Sequence, residues 1–465
     1  MTRGLFQFIA AVLLVLAAPR GRADGAFQLL HTFPSSPNEP RLPGCRLLEV
    51  EPGVFYGTSL FGGPFNCGTV FRFRPDTGVE VIATFDGTNG FLPDGGLVQG
   101  PDGNLYGVTE AGGIGYSGDP PNLNPGPGTV FRVSLTGQMD TLFCFNATNS
   151  ATPFGPLVFG ADGTMYGVTF FGPNNGIKND EGGTLFQIST NGALTQLHAF
   201  RAPDGARPLG LIEGTDGVFY GMSSGTAFRA TTNGLVSVLA RFSGTNGTGP
   251  VGLSRDPLGG FVGTTFDGGG AGLGTIFHLS EDGTFQTLYS FNGLDAARPD
   301  SGVVRGGDGA LYGTTVGRLH YGYPEGSPDT NGSIFRLSLD GVLSIVTRFD
   351  GTNGLRPITG MMLASDGYLY GATADGMNES PFNGGTLYRV AQTPAMESVA
   401  VAGGKVTLAW RSFTHGSYQI QSKPTVEASD WMPVGPPVTT VDPLTQAIFP
   451  VPDSPQGIFR AVLIP

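Results

Sequence analysis

The residues of this sequence that could do chemistry are few and scattered. Five histidines, His31, His198, His278, His320 and His415, show no metal-ligand spacing. No His-Glu-x-x-His helix, Gly-x-Ser-x-Gly elbow or phosphate-binding Gly-Lys-Ser/Thr loop occurs. Three cysteines, Cys45, Cys67 and Cys144, are too few for a zinc site of paired thiolates. Acids recur in Asp-Gly steps at Asp102, Asp162, Asp216, Asp308 and Asp366, where Asp before Gly is what a tight turn requires. Asp86 with Asn89, and Asp350 with Asn353, could turn oxygens toward calcium. Calcium takes six to eight oxygens, and this loop lacks the acidic alternation and closing Glu of an EF-hand, so the turn reading prevails. No metal and no cofactor is expected, and no catalytic residue is assigned.

A denser group lies in stretches of uneven length between apolar segments. These carry the rings Phe61, Phe65, Tyr116, Phe170, Phe171, His320, Tyr321, Tyr323 and Phe382, with the acids Asp119, Asp180, Glu181 and Asp329. Ring faces stack on sugars and other planar or apolar surfaces, and carboxylates accept hydrogen bonds beside them. The candidate ligand rim is therefore Phe61, Tyr116, Asp119, Phe170, Phe171, His320, Tyr321 and Tyr323. The alternative is that these rings only pack their loops onto a scaffold.

That scaffold is a repeat. A Tyr-Gly step recurs at Tyr56, Tyr106, Tyr166, Tyr220, Tyr312 and Tyr370, with Val262-Gly263 in the remaining slot. Each step is followed by a Gly-Thr or Gly-Ser pair and then an aromatic residue: Phe71, Phe131, Phe186, Phe228, Phe277, Phe335 and Tyr388. A further segment ends on Phe33, Phe85, Phe145, Phe200, Phe242, Phe291 and Phe349. A fourth, such as Gly96 to Val98 or Gly210 to Ile212, leads into the Asp-Gly turn. Short segments rich in Val, Leu, Thr and aromatics between Gly-rich turns read as strands. Four strands to a unit of about 52 residues, seven times over residues 24–390, predicts a seven-bladed β-propeller.

We name the strands A (Gly-Leu-Val), B (Tyr-Gly), C (Gly-Thr-x-aromatic) and D (Phe-terminated). The repeats open on a D strand, Phe27 to Phe33, and end on a C strand, Gly385 to Val390. The first strand is therefore expected beside the last C strand, where it closes the ring and removes two sheet edges. B–C and D–A connections then share one rim, the one with the long loops, where binding sites usually lie. Cys45 and Cys67 fall on that rim, as a disulfide or as two free thiols.

Composition agrees with this reading. Of 465 residues, 77 are Gly and 36 Pro, far too many for a helical protein, while 34 Phe supply a core. A net charge of -12 disfavours nucleic-acid binding. Arg3, an apolar run from Phe8 to Ala18 and a polar stretch ending at Ala23 have the order of a signal peptide, residues 1–23. The run is too short to span a bilayer. Secretion to the exterior or cell surface is expected, with the periplasm as the alternative. Residues 391–398 read as a linker. Residues 399–465, with both Trp residues and short alternating segments, read as a small β-sandwich.

The segments Leu105 to Thr109, Gly112-Gly113, Gly128 to Phe131 and Leu311 to Thr315 resemble the secreted bacterial tandem repeat called GloVer, over about residues 27–390. The resemblance implies an exported repeat protein and brings no catalytic residues. The C-terminal segment resembles fibronectin-type modules more weakly. The function expected is a non-enzymatic, monomeric binding or surface-interaction protein that takes a glycan or a cell-surface protein on the long-loop rim. A carbohydrate-active hydrolase or lyase with acids on that rim, and a structural envelope component, are the alternatives.

Overall fold

A computed structural model describes residues 27–34, 36, 38–117, 125–146, 150–172, 182–317, 331–375 and 384–392, and then 396–402, 405–411, 417–423, 430–439, 444–450 and 458–464. Among these the structure is all β apart from one 3-10 turn, Gly244–Asn246. Each repeat folds into one antiparallel sheet. In the second, Val98–Gln99, Leu105–Thr109, Thr129–Val133 and Met139–Cys144 follow one another as strands A to D. Residues 151–199, 210–241, 248–290 and 304–348 form four further sheets in the same order. In the first sheet the A position is split into Arg41–Pro43 and Leu48–Glu51, both paired with Val54–Phe61. The A strands are the least regular because Gly and Pro interrupt their ladders.

The seventh sheet takes its fourth strand from the other end of the repeat array. Phe27–Thr32 lies antiparallel to Thr386–Val390, with Phe27 opposite Val390 and Thr32 opposite Thr386. This is the pairing that the strand order requires.

Between sheets the recurring contact is a ring pair. The Phe that ends each D strand meets the C-strand aromatic of the next sheet: Phe85 with Phe131 at 5.1 Å, Phe145 with Phe186 at 5.4 Å and Phe291 with Phe335 at 5.3 Å between centroids. The series passes through the chain ends, since Phe33 meets Phe71 of the first sheet at 5.5 Å. Each buried apolar cluster of the repeats likewise draws on two consecutive sheets, including the seventh and the first. The Tyr-Gly glycine makes the ring pair possible. A Cβ on Gly313 would stand 2.4 Å from the Phe335 ring, and one on Gly167 2.5 Å from Phe186. The B-strand glycine thus admits the C-strand ring, and at Gly221 and Gly263 it also admits a strand-A backbone carbonyl, 2.5 and 2.6 Å from where a Cβ would stand.

After the repeats, Met396–Ala402, Lys405–Arg411 and Leu444–Pro450 form one sheet, and Ser417–Lys423 pairs with Met432–Pro433, Val438–Thr439 and Ile458–Ile464 in another. Their inner sides meet through Trp410 on Tyr418 and Phe449 on Phe459. This core is continuous with the cluster between the seventh and first sheets. Gln392 is buried and bridges two A–B turns, accepting from the Gly307 N–H at 2.6 Å and donating to the Gly367 carbonyl at 2.9 Å.

Replacing Gly313 by Ala should cost about 1–3 kcal/mol of unfolding free energy in a urea titration, the usual cost of overfilling a close-packed core. Gly225→Ala, whose Cβ would meet nothing within 4 Å, should leave the midpoint unchanged.

Candidate functional site

The chain enters the sheets through an unusual step. Leu42, Leu92, Thr152, Arg207, Arg298 and Arg356 each precede a proline and hold φ between +51° and +57°; in the fifth repeat Gly249, at +59°, takes this place. A residue before proline favours extended backbone, and a left-handed L-residue costs about 1–2 kcal/mol. The proline ring explains why the step is kept. A Cβ on the Gly that opens the preceding C strand would lie 2.7 Å from Cδ of Pro93 (Gly68), 2.5 Å from that of Pro153 (Gly128) and 2.5 Å from that of Pro43 (Gly385). Six of the seven prolines occupy the side-chain space of the previous sheet's glycine in this way; Pro250 is the exception, since a Cβ on Gly225 would meet nothing within 4 Å.

The left-handed step into proline is common to all seven repeats, and one residue follows the proline in each. In chain order these are Gly44, Asp94, Phe154, Leu209, Val251, Asp300 and Ile358, and all seven line one cavity of about 670 Å³ walled by the A-strand segments of all seven sheets. Phe154, Leu209 and Val251 belong to consecutive sheets, so they make an apolar arc. Asp94 and Asp300 flank it from the second and sixth sheets.

The carboxyl groups here depart from their ordinary behaviour. Burial raises Asp94, the nearby charge and hydrogen bond of Glu110 add to it, and Asp300 contributes from across the cavity; Asp94 reaches about 8. Burial also raises Glu110, against the hydrogen bond from Asp94. Two carboxyls in one hydrogen bond share a proton, and here Asp94 keeps it into the neutral range. Asp300 rises to about 6, chiefly by burial and against the Arg356 guanidinium. In the third sheet the corresponding slots hold Phe154 and Phe170, 5.9 Å apart. The acid pair therefore replaces a pair of rings.

Arg46 is the cation of this wall. It lines the cavity where the other glycine-containing A segments keep small residues, such as Gly96, Gly302 and Gly360. Its surface is open, yet protein surrounds it on nearly every side, which is the condition of a side chain standing in a lumen. Burial lowers the guanidinium from its ordinary value with no acid acting against it. It forms no hydrogen bond or ion pair with the described residues.

The rings expected on the rim are placed differently. Phe61 and Tyr116 both pack on Phe91, at 6.0 Å, and Tyr116 also fills the space over Gly87. Phe170 meets Phe171 edge to face, with centroids 5.0 Å apart, under the Arg207 guanidinium. None of the four lines the cavity. Asp119, Asp180, Glu181, His320, Tyr321, Tyr323, Asp329 and Phe382 lie outside the described residues, as do residues 1–23. Cys45 and Cys67 are free thiols, so the disulfide reading is corrected. The Cys45 sulfur accepts from the Thr58 hydroxyl at 3.0 Å on the inner strand, whereas Cys67 faces Tyr116 Oη at 3.5 Å in the outer loop. Asp86 accepts from the backbone of Thr88 and Asn89, at 2.8 and 3.0 Å, so its carboxylate is spent on the turn. No cluster able to hold a metal occurs among the described residues.

Sequence reading missed Asp94, Glu110, Asp300 and Arg46. The signal was present: aligning the seven segments after the proline isolates two acids among apolar residues and one Arg among glycines.

The family described as Gloeobacter/Verrucomicrobia repeat matches residues 20–225 and 222–409. Among proteins with curated descriptions none matches. A solved streptogramin B lyase is 15% identical with a TM-score of 0.52, over 78% of this chain and 97% of the other. A catalytically inactive variant of virginiamycin B lyase from Staphylococcus aureus, solved with quinupristin, is 13% identical at 0.51, over 78% and 99%. An extracellular domain of a B. thetaiotaomicron protein named as a hybrid two-component system is 12% identical at 0.51, over 88% and 47%. These likenesses show a β-propeller-like fold.

The raised carboxyls carry a pH signature. Asp94 is protonated in the folded chain up to about pH 8 but only to about pH 4 when unfolded, so its contribution is full at low pH and is lost as pH rises through 8. Thermal midpoints should fall by several degrees between pH 5 and 9 relative to those of Asp94→Asn, whose profile should be flatter. Parallel profiles would show that Asp94 ionises normally.

Proposed function

We propose that this chain, which belongs to the Gloeobacter/Verrucomicrobia repeat family, is an exported seven-bladed β-propeller that binds a compact ligand in its axial cavity. The observation that carries the reading is the cavity wall itself: one cation, Arg46, and three acids, Asp94, Asp300 and Glu49, the last engaged by Ser365 and the Gly53 N–H, set among apolar, glycine and small hydroxyl residues in a surface of small-molecule size. Seven consecutive sheets, with the N-terminal strand completing the last, support the blade count and the closure. The paired sheets after residue 396, sharing a core through Trp410 and Tyr418, support a sandwich module docked on the ring. Export rests on the N-terminal composition and on the family resemblance. The working species in this reading is a monomer, and the ligand, a glycan fragment or another small polar molecule, enters from the rim that carries the D–A connections.

A second reading, a hydrolase or lyase, is favoured by one feature: the proton shared by Asp94 and Glu110 is available near neutral pH, as acid–base catalysis requires. The two groups are hydrogen-bonded, however. A glycosidase pair stands about 5–5.5 Å apart for retention or 6.5–9.5 Å for inversion. The pair therefore fits holding a proton at a binding wall better than glycoside hydrolysis.

Binding is tested by screening the purified chain on a glycan array and by thermal shift with small polar molecules, then repeating each hit with Gly360→Phe. Gly360 lines the cavity and its Cβ would meet nothing within 4 Å, so a ring there fills the lumen without a clash at its base. Hits should be lost in Gly360→Phe and kept in Phe171→Ala. The reverse pattern would move the site to the outer rim, and product formed from a bound hit would establish the enzyme reading.

A further inference from the structure

Resting on the axial site just proposed, the structure further assigns a chemical class to its ligand. We propose that the cavity takes a compact hydroxylated carboxylate of hexuronate size, with Arg46 as the anchor for the carboxylate. Three observations carry this. First, a guanidinium stands in the lumen with no hydrogen bond or ion pair to the described residues. An Arg fork enclosed by protein is built for a planar two-oxygen partner, and a ligand carboxylate supplies one. Second, it is the exception in its repeat: Gly96, Gly302 and Gly360 keep that level of the wall clear elsewhere, so one cationic pole enters an otherwise uncharged ring of backbone.

Third, the rest of the wall is ordered about that pole. Counting around the sheets from the first, the apolar arc of Phe154, Leu209 and Val251 comes from the third to fifth sheets, on the far side from Arg46. Asp94 and Asp300 stand between arc and pole, one on each flank, while Glu49, the third acid of the wall, accepts from the Ser365 N–H and hydroxyl at 2.7 Å and from the Gly53 N–H at 2.9 Å. A ring with one C–H face, hydroxyls around its edge and one carboxylate matches this distribution. The face lies on the arc, the hydroxyls donate to the flanking acids, and the carboxylate meets Arg46. A neutral sugar leaves the guanidinium unpaired. A cationic sugar places like charge beside it.

The test is calorimetric titration of the purified chain with D-glucuronate, D-galacturonate, D-glucose and D-glucosamine, on the parent, Arg46→Ala, Arg46→Lys and Gly360→Phe. A uronate should bind at least 10-fold more tightly than glucose or glucosamine. Arg46→Ala should lose that preference, and Arg46→Lys should retain part of it. Thermal midpoints of both Arg46 variants should stay at the parent value, because Arg46 bonds to no described residue. Equal affinity for the neutral, cationic and acidic sugars, unchanged uronate affinity in Arg46→Ala, or no binding of either uronate overturns the carboxylate assignment. If sugars of every charge bind alike and Gly360→Phe abolishes all of it, the axial site stands without the assignment. Uronate binding that survives Gly360→Phe overturns the axial site itself.

Discussion

The structure depends on one ring-to-ring contact made seven times. Each D strand ends in a Phe that meets the aromatic of the C strand in the following sheet, and the glycine of the Tyr-Gly step leaves the space that the second ring needs. Neither sheet could bury its own ring. A four-stranded sheet of this kind has two apolar faces, and each face is covered only by a neighbour. The circle must therefore come back on itself, and Phe33 against Phe71 is where it does so. The N-terminal strand is in this sense a part of the last repeat that was synthesised first.

A second repeated contact, proline into glycine, turns this packing into a site. In six of the repeats the left-handed residue before the proline is costly in isolation, and the glycine pocket of the preceding sheet holds it in place; in the fifth, glycine adopts the same conformation without that contact. The effect of the step is to bring the next residue of every repeat to one cavity. Evolution of such a wall needs no change in the scaffold: the same position reads Gly, Asp, Phe, Leu, Val, Asp and Ile around the ring. Chemistry enters by substitution at a geometrically fixed point, as it does where Asp94 and Glu110 stand in slots that hold two Phe rings one sheet further on.

The electrostatics of the wall follow from this placement. Carboxyls next to the axis are taken out of bulk water, so Asp94 and Asp300 move up, and Asp94 moves furthest because Glu110 is bonded to it. The opposite rim shows the contrast. There Asp102 accepts from Asn104 and Tyr106, at 2.7 and 2.8 Å, and these bonds outweigh burial and leave it below the ordinary carboxylate range. Similar residues thus behave in opposite ways at the two ends of a repeat: Asp102 at an A–B turn is held ionised by local hydrogen bonds, and Asp94 and Asp300 after the prolines are raised by burial at the cavity.

The repeat was legible from residue order alone, because strand periodicity, turn glycines and ring positions are local properties that recur in register. From them came the four-strand unit, the order A to D, the pairing of the first strand with the last C strand and the turn role of the Asp-Gly and Asp-Gly-Thr-Asn-Gly steps. The site was not legible in the same way. Phe61, Tyr116, Phe170 and Phe171 stood out by type, but an exposed-looking ring in a long loop satisfies itself on any apolar neighbour, and these do. The two cysteines looked close along the repeat, but one faces the inner strands and the other the outer loop. It took the folded chain to show that Arg46, Asp94 and Asp300, which belong to the first, second and sixth repeats, share one cavity. The reason is physical: in six of the repeats the segment at the end of a D–A connection is seated by a proline in the glycine pocket of another sheet. That contact joins residues distant in the chain, so the residues it gathers are marked in the sequence only by their place after the proline.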